Sequence, residues 1–253
     1  MPTKTRSPSR APSVPALDLP PPFRLVTLRE VGDAFSHAVA IAAEAGAGTI
    51  VYVGRFDLAE FAVVLEPDEP LRTARRAFYA GMSALGDALV AHAPPGRPIA
   101  FDWPDAIRVD GGLVGGGRLA WPSKAEEGAP PDWLVFGATI RTVAMGDRQG
   151  GLRPLAAALD EEGFDDVGSG RLVESFARHL MAAIDTWRAG DFGAIAKTYL
   201  RRLSPEKGAS REIDGNGDLL VQWKGATQPE RRSLAGALAV PSWLDPATGG
   251  PRS

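Results

Sequence analysis

The feature that most constrains the fold is a glycine-rich segment at residues 101–121, FDWPDAIRVDGGLVGGGRLAW. Its apolar run closes at the pair Gly111-Gly112 and then resumes, which predicts a strand, a tight turn and a second strand. Three further glycines, Gly115, Gly116 and Gly117, stand where the second strand begins. Consecutive glycines weaken a strand unless another group must approach its backbone closely. The second strand is therefore the first candidate for a binding site.

Two interpretations of these glycines are open. Successive backbone N–H groups can bind a phosphate, and Arg118 could add a bidentate donor. The segment is not a Walker loop, because Arg118-Leu119 follow Gly117 where that motif requires Lys-Ser/Thr. Alternatively, the glycines only make room for a neighbouring helix beside a tight hairpin.

The segment resembles the core motif of the biotin and lipoate protein ligase family. That motif is Lys-Trp-Pro-Asn-Asp, followed by a strand, a turn and Lys-apolar-small-Gly on the next strand. The matching residues are Trp103-Pro104-Asp105 and Gly115-Gly116. Asp102 and Ala106 replace the first lysine and the second acidic residue of the motif.

The resemblance implies a divergent member of the family that lacks the strand lysine, since no lysine lies between Trp103 and Lys124. In the family, that lysine binds the acyl carboxylate and the adenylate phosphate. The resemblance therefore implies catalytic roles for Asp105, which holds the family's Asn position, and for Arg118, the nearest cation. The implied substrate-binding residues are Gly54, Arg55, Trp103, Gly115, Gly116 and Gly117.

Gly54 and Arg55 are included because, in the family, the corresponding strand is followed by an Arg- and Gly-rich loop. That loop closes over the acyl-adenylate. The loop is short here, spanning only residues 54–58, so the resemblance implies a reduced lid. An ordinary solvated role for Arg55 in a turn is the alternative.

The predicted fold class is α+β: a ligase-like mixed, largely antiparallel sheet with packed helices and a small C-terminal β appendage. Apolar spacing predicts helices at 29–45, 70–91, 169–188 and 191–203, and short β-branched or apolar runs predict the strands. The expected organisation is a disordered tail at 1–22, a biotin/lipoate ligase-like domain at 23–203 and a small β-rich domain at 204–253.

Composition excludes several classes of protein. The net charge of -3 gives no general attraction to nucleic acid or to an anionic membrane, so neither is an expected partner. The absence of cysteine excludes disulfides and a cysteine nucleophile, and it fits a reducing compartment. No stretch approaches the roughly 18 uninterrupted apolar residues needed to span a bilayer. We therefore expect a cytoplasmic protein.

No metal site is predicted from the histidines, because His37, His92 and His179 are scattered along the chain. Asp102, Asp105 and Asp110 could hold Mg²⁺ with ATP, but strand alternation would distribute them over both faces of a sheet.

Two functions follow from the resemblance. The first is an ATP-dependent ligase that activates biotin, lipoate or a similar carboxylic acid and transfers it to a lysine of a biotinyl or lipoyl carrier domain. The second is a non-catalytic protein that binds an acyl ligand or a carrier domain on the same fold. The missing lysine, the altered acidic residue and the short loop favour the second.

Overall fold

A seven-stranded sheet forms the centre of the molecule. The computed structural model describes residues 17–145, 155–165 and 167–252. The sheet strands are β1 (Arg24–Leu28), β2 (Thr49–Gly54), β3 (Leu58–Leu65), β4 (Ile99–Asp102), β5 (Ala106–Val109), β6 (Gly112–Ala120) and β7 (Leu134–Arg141). Their order is β1-β2-β3-β7-β6-β5-β4. The pair β1 and β2 is parallel and the other pairs are antiparallel. The expected mixed, largely antiparallel sheet is confirmed.

The middle of this sheet is the pair of β3 and β7, which runs in register from Leu58 opposite Arg141 to Leu65 opposite Leu134. Every residue of each strand except the last is buried. Mostly apolar runs of this kind are typical of strands that are covered on both faces. Glu60 and Thr139, which lie directly opposite each other, are buried polar residues in this pair.

Helices cover the two faces of the sheet unequally. They are α1 (Ala34–Ala45), α2 (Leu71–Ala74), α3 (Ala77–Val90), α4 (Ser169–Arg188), α5 (Phe192–Arg202) and α6 (Leu234–Leu238). The larger core joins one face of the sheet to α3, α4 and α5. The smaller core joins the opposite face to α1 through Ala34, Ala38 and Ala42. These alanines lie one helical turn apart and bring α1 close to the sheet.

The single helix predicted for residues 70–91 is two helices, α2 and α3. The chain between them turns at Arg75 and Arg76, where the N–H groups of Phe78 and Tyr79 bond to carbonyls three residues back. Such bonds form a tighter turn than an α-helix does. Sequence periodicity alone does not distinguish this short interruption from a continuous helix.

The C-terminal part begins with a small antiparallel sheet, as expected. Its strands are β8 (Ala209–Ile213), β9 (Leu219–Trp223) and β10 (Glu230–Arg232), in the order β10-β9-β8. The turn between β8 and β9 has Gly217 at a φ of 90°, a positive value that glycine adopts readily in hairpin turns. After α6 the chain returns to the main sheet, so residues 242–252, here called the C-terminal segment, contact β5, β6 and β7.

The N-terminal residues 17–22 lie within the stretch predicted to be a disordered tail, yet Leu17 and Leu19 pack against the larger core. The backbone N–H of Asp18 also donates to Glu174 on α4, at 2.8 Å. Residues 1–16 lie outside the described part of the chain, and the domain boundary at 203/204 stays a prediction. Within the described residues, no helix is both long and apolar enough to cross a membrane.

Candidate functional site

The glycine-rich strand β6 lies between β5 and β7, and its glycines point to both faces of the sheet. A Cβ atom at Gly117 would lie 2.7 Å from Met82 Sδ on the α3 side. A Cβ atom at Gly116 would lie 2.3 Å from Trp243 Cδ1 on the opposite side. Both positions are therefore in close contact with side chains of this protein. Contact of the glycines with a substrate stays a prediction.

A similar close approach occurs on strand β7 at Gly137, which lies directly opposite Arg118. A Cβ atom at Gly137 would lie 2.4 Å from Cδ2 of Phe35, which belongs to α1. Two aromatic rings, Phe35 from α1 and Trp243 from the C-terminal segment, therefore occupy neighbouring glycine recesses on one face of the sheet. Between them lie the side chains of Thr139 and Arg118, which belong to that face by strand alternation.

Asp105 immediately precedes β5, and only 1% of its surface is exposed. Its carboxylate accepts hydrogen bonds from Ser242 N at 2.9 Å and from Ser242 Oγ at 2.5 Å. Burial raises the pKa of the Asp105 carboxyl above its usual value, and the bonds from Ser242 oppose that shift. The C-terminal segment thus holds the residue for which a catalytic role was predicted.

Trp103 points to a different part of the molecule. Its Nε1 donates to the hydroxyl of Tyr79 on α3 at 3.2 Å, and its ring packs against the larger core. The structure therefore separates the Trp103 side chain from the face that carries Arg118. A substrate contact of Trp103 stays a prediction.

Arg118 lies on β6 near the beginning of α1. The centre of its guanidinium is 4.3 Å from the centroid of the Phe35 ring, and its Nη2 is 3.7 Å from Oδ1 of Asp33. Its Nε is buried and has no hydrogen-bond partner among the described residues. Burial lowers the pKa of Arg118, and the charges of Asp33 and Glu60 oppose this shift. The guanidinium is thus a buried cation with unused capacity to donate.

Two polar residues beside Arg118 were missed in the sequence. Glu60 is 7% exposed and Thr139 is 1% exposed, and they are directly opposite each other on β3 and β7. The Glu60 Oε1 accepts from the N–H of Ala34, the first residue of α1, at 2.8 Å. Burial raises the pKa of Glu60. The sequence does carry a signal for Glu60, because it is the single acidic residue within the apolar run LAEFAVVL.

Glu60, Thr139 and Arg118 together are called here the polar cluster. Gly54 is the last residue of β2, and Arg55 begins the loop that leads to β3. Arg55 donates to Asp57 through Nε at 3.0 Å and Nη2 at 2.7 Å, and this bond lowers the pKa of Asp57. Arg55 also acts electrostatically on Glu60. The loop therefore borders the polar cluster, although the Arg55 guanidinium is engaged within it.

Several polar groups around the glycines are engaged by other residues of the chain. The Gly117 N–H donates to the carbonyl of Asp105 at 2.9 Å, and the Trp243 ring covers Gly116. The nearby acids have separate partners: Asp102 pairs with Arg108, Asp105 with Ser242, and Asp110 with Arg97. Among residues 17–145, 155–165 and 167–252, no cluster of three or more histidine or acidic side chains could hold a metal ion.

Comparison with solved structures identifies the fold. A biotin protein ligase-like protein of unknown function from Silicibacter sp. TM1040 is 29% identical, with a TM-score of 0.77 over 88% of this chain and 99% of that chain. Biotin protein ligase from Aquifex aeolicus in complex with biotin and ATP is 14% identical, with a TM-score of 0.58 over 82% and 98%. The Leishmania major enzyme in complex with biotinyl-5-AMP is also 14% identical, with a TM-score of 0.54 over 84% and 99%.

A comparison with curated proteins found no match. The model of the biotin/lipoate A/B protein ligase family matches residues 19–201, which is more than half of the chain. This range includes β6 and all three members of the polar cluster. The chain belongs to the biotin/lipoate A/B protein ligase family.

Proposed function

We propose that this protein binds a small carboxylic acid, with Arg118 as the partner of the ligand carboxylate. The observation that carries the proposal is the buried Nε of Arg118, which has no partner among the described residues. A guanidinium presents its donors in a planar fork that matches a carboxylate, and a charge-assisted bond of this kind is stronger than a neutral one. The ion pair with Asp33, at 3.7 Å, is too long for a hydrogen bond and leaves that capacity unused.

The proposal favours binding without adenylation. The family pattern Lys-apolar-small-Gly ends in two positions that Gly115 and Gly116 match. In this alignment the lysine position, three residues before Gly116, is occupied by Leu113. Leu113 packs with Ala106 and Trp243 in an apolar cluster. A leucine cannot stabilise the negative charge that develops when a carboxylate attacks ATP. Asp105, the other implied catalytic residue, is engaged by Ser242.

The second candidate function is ATP-dependent ligation of a biotin- or lipoate-type acid to a carrier-domain lysine. It is supported by the family match and by relatives whose structures hold biotin, ATP or biotinyl-5-AMP. On this alternative, Arg118 would be the cation beside the reacting carboxylate. A biotinyl or lipoyl carrier domain would be the protein partner.

Pyrophosphate exchange separates the two candidates. The protein is incubated with ATP, Mg²⁺ and a panel of biotin, lipoate, octanoate and short acids, while the melting temperature is recorded with each acid alone. Binding without adenylation predicts acid-dependent stabilisation that disappears in Arg118→Ala, together with no exchange. Acid-dependent exchange would establish the ligase instead. An absence of stabilisation with every acid would remove Arg118 as a ligand-binding residue.

A further inference from the structure

Thr139 presents a buried hydroxyl for which the described part of the chain provides no partner. The residue is 1% exposed, and its Oγ1 makes no hydrogen bond within the described residues. It lies directly opposite Glu60 on one neighbouring strand and directly opposite Gly116 on the other. Buried polar groups are normally hydrogen-bonded, because an unpaired one carries a desolvation cost. Among the described residues, this hydroxyl is therefore free to bond to a polar group of a ligand.

The neighbours of Thr139 supply both acceptors and donors. Glu60 uses Oε1 to accept from the Ala34 N–H, and a carboxyl group retains further capacity on its other oxygen. Arg118 lies diagonally from Thr139, two positions along β6 from Gly116, and this distance is within reach of a long side chain. Arg118 and Glu60 therefore both belong to the face of the sheet that carries Thr139.

The space around the polar cluster is limited by aromatic rings. Phe35 occupies the recess over Gly137 on one side, and Trp243 occupies the recess over Gly116 on the other. Trp243 is held in place, since its Nε1 donates to the carbonyl of Gly117 at 3.0 Å. A long acyl chain at this position would meet these rings, and its methylenes would leave Thr139 and Glu60 without partners.

We propose that the ligand is a short carboxylic acid with a second polar group that donates a hydrogen bond, namely a hydroxyl or an amine next to the carboxylate. This inference rests on the proposed function, because it assigns the ligand carboxylate to Arg118. The second group of the ligand donates to Glu60, and Thr139 completes the contact as donor to a ligand oxygen or as acceptor from an amine. The polar cluster thus selects against biotin, lipoate and octanoate.

Matched acids test this selection by calorimetric titration of the full chain. Lactate and alanine carry a hydroxyl and an amine, respectively, and propionate has the same carbon skeleton with neither. We expect the better of lactate and alanine to bind about tenfold more tightly than propionate. This factor is the gain in affinity expected from one additional hydrogen bond to a charged or buried partner. Octanoate is expected to bind more weakly than propionate.

Thr139→Val replaces the hydroxyl by a methyl group of similar size, so it tests the contact without opening a cavity. We expect it to reduce the preference for the better of lactate and alanine over propionate by about fivefold or more. Equal binding of all three short acids, tighter binding of octanoate, or an unchanged preference in Thr139→Val would overturn this inference while acid binding at Arg118 stands. If no acid binds at all, the proposed function itself fails.

Discussion

Ser242 donates two hydrogen bonds to the carboxylate of Asp105, one from its backbone N–H at 2.9 Å and one from its hydroxyl at 2.5 Å. The next residue, Trp243, covers Gly116 and donates to the carbonyl of Gly117. The C-terminal segment thereby covers β5 and β6 on the face where α1 covers β2 and β3. Arg141 contacts the end of the segment, where its Nη2 donates to the carbonyl of Pro251 at 2.7 Å. The polar cluster lies between these two coverings.

The Ser242 hydroxyl is expected to contribute substantially to stability. Ser242→Ala removes one of the two donors to a buried carboxylate, and we expect the free energy of unfolding to fall by about 1–3 kcal/mol. Urea denaturation at neutral pH measures this change. Ser210→Ala, an exposed position on β8, serves as the control and should change stability by less than about 0.5 kcal/mol. Equal stability of Ser242→Ala and the control would contradict the role of Ser242.

Glu60 predicts a specific dependence of stability on pH. Its pKa is raised in the folded protein, so its contribution is fully present below the usual value of about 4.5 and is lost as the pH rises through the raised pKa. Glu60→Gln keeps the acceptor for Ala34 and cannot ionise. We therefore expect the variant to gain stability relative to the wild type as the pH rises from acid to neutral.

Urea denaturation of both proteins at a series of pH values tests this expectation. The difference between their unfolding free energies should be smallest at the acidic end and should level off above the raised pKa. A difference that moves in the opposite direction would show that Arg118 and Arg55, which favour the charged carboxylate, outweigh burial.

The sheet and most helices could be predicted from the sequence because their signals are local. Strand alternation, apolar stripes and the turn at Gly111-Gly112 each depend on residues that are close together in the chain. The site was only partly predictable. Arg118 was identified from its position beside the glycines. Thr139, by contrast, is one residue within an apolar strand. That its hydroxyl has no hydrogen-bond partner among the described residues is apparent only when its neighbours on β3 and β6 are known.

The contacts of the C-terminal segment were not predictable for a different reason. Ser242 is 137 residues from Asp105 in the sequence, and Trp243 is 126 residues from Gly117. No periodicity or turn signal connects positions so far apart, and the glycines were equally compatible with a ligand or with a protein side chain. The tertiary structure places a tryptophan ring over Gly116.

Arg118 is expected to affect ligand binding more than stability. Because its burial is only partly compensated by Asp33 and Glu60, Arg118→Gln should change the free energy of unfolding by less than about 1 kcal/mol without ligand. The same variant should lose the stabilisation that the wild type gains from a carboxylic acid. Thermal unfolding with and without the acid measures both effects, and Arg178→Gln, on the exposed side of α4, is the control. Retained stabilisation in Arg118→Gln would place the acid elsewhere.

The close approach of Phe35 to Gly137 predicts coupling between the two positions. Gly137→Ala would place a Cβ atom 2.4 Å from the Phe35 ring, and we expect it to lower the free energy of unfolding by about 1–3 kcal/mol. Gly128→Ala is the matched control, because a Cβ atom there has nothing within 4 Å. In a Phe35→Ala background the added methyl group has space, so the cost of Gly137→Ala should fall by at least half. Additive costs in the double variant would mean that the ring does not limit this recess.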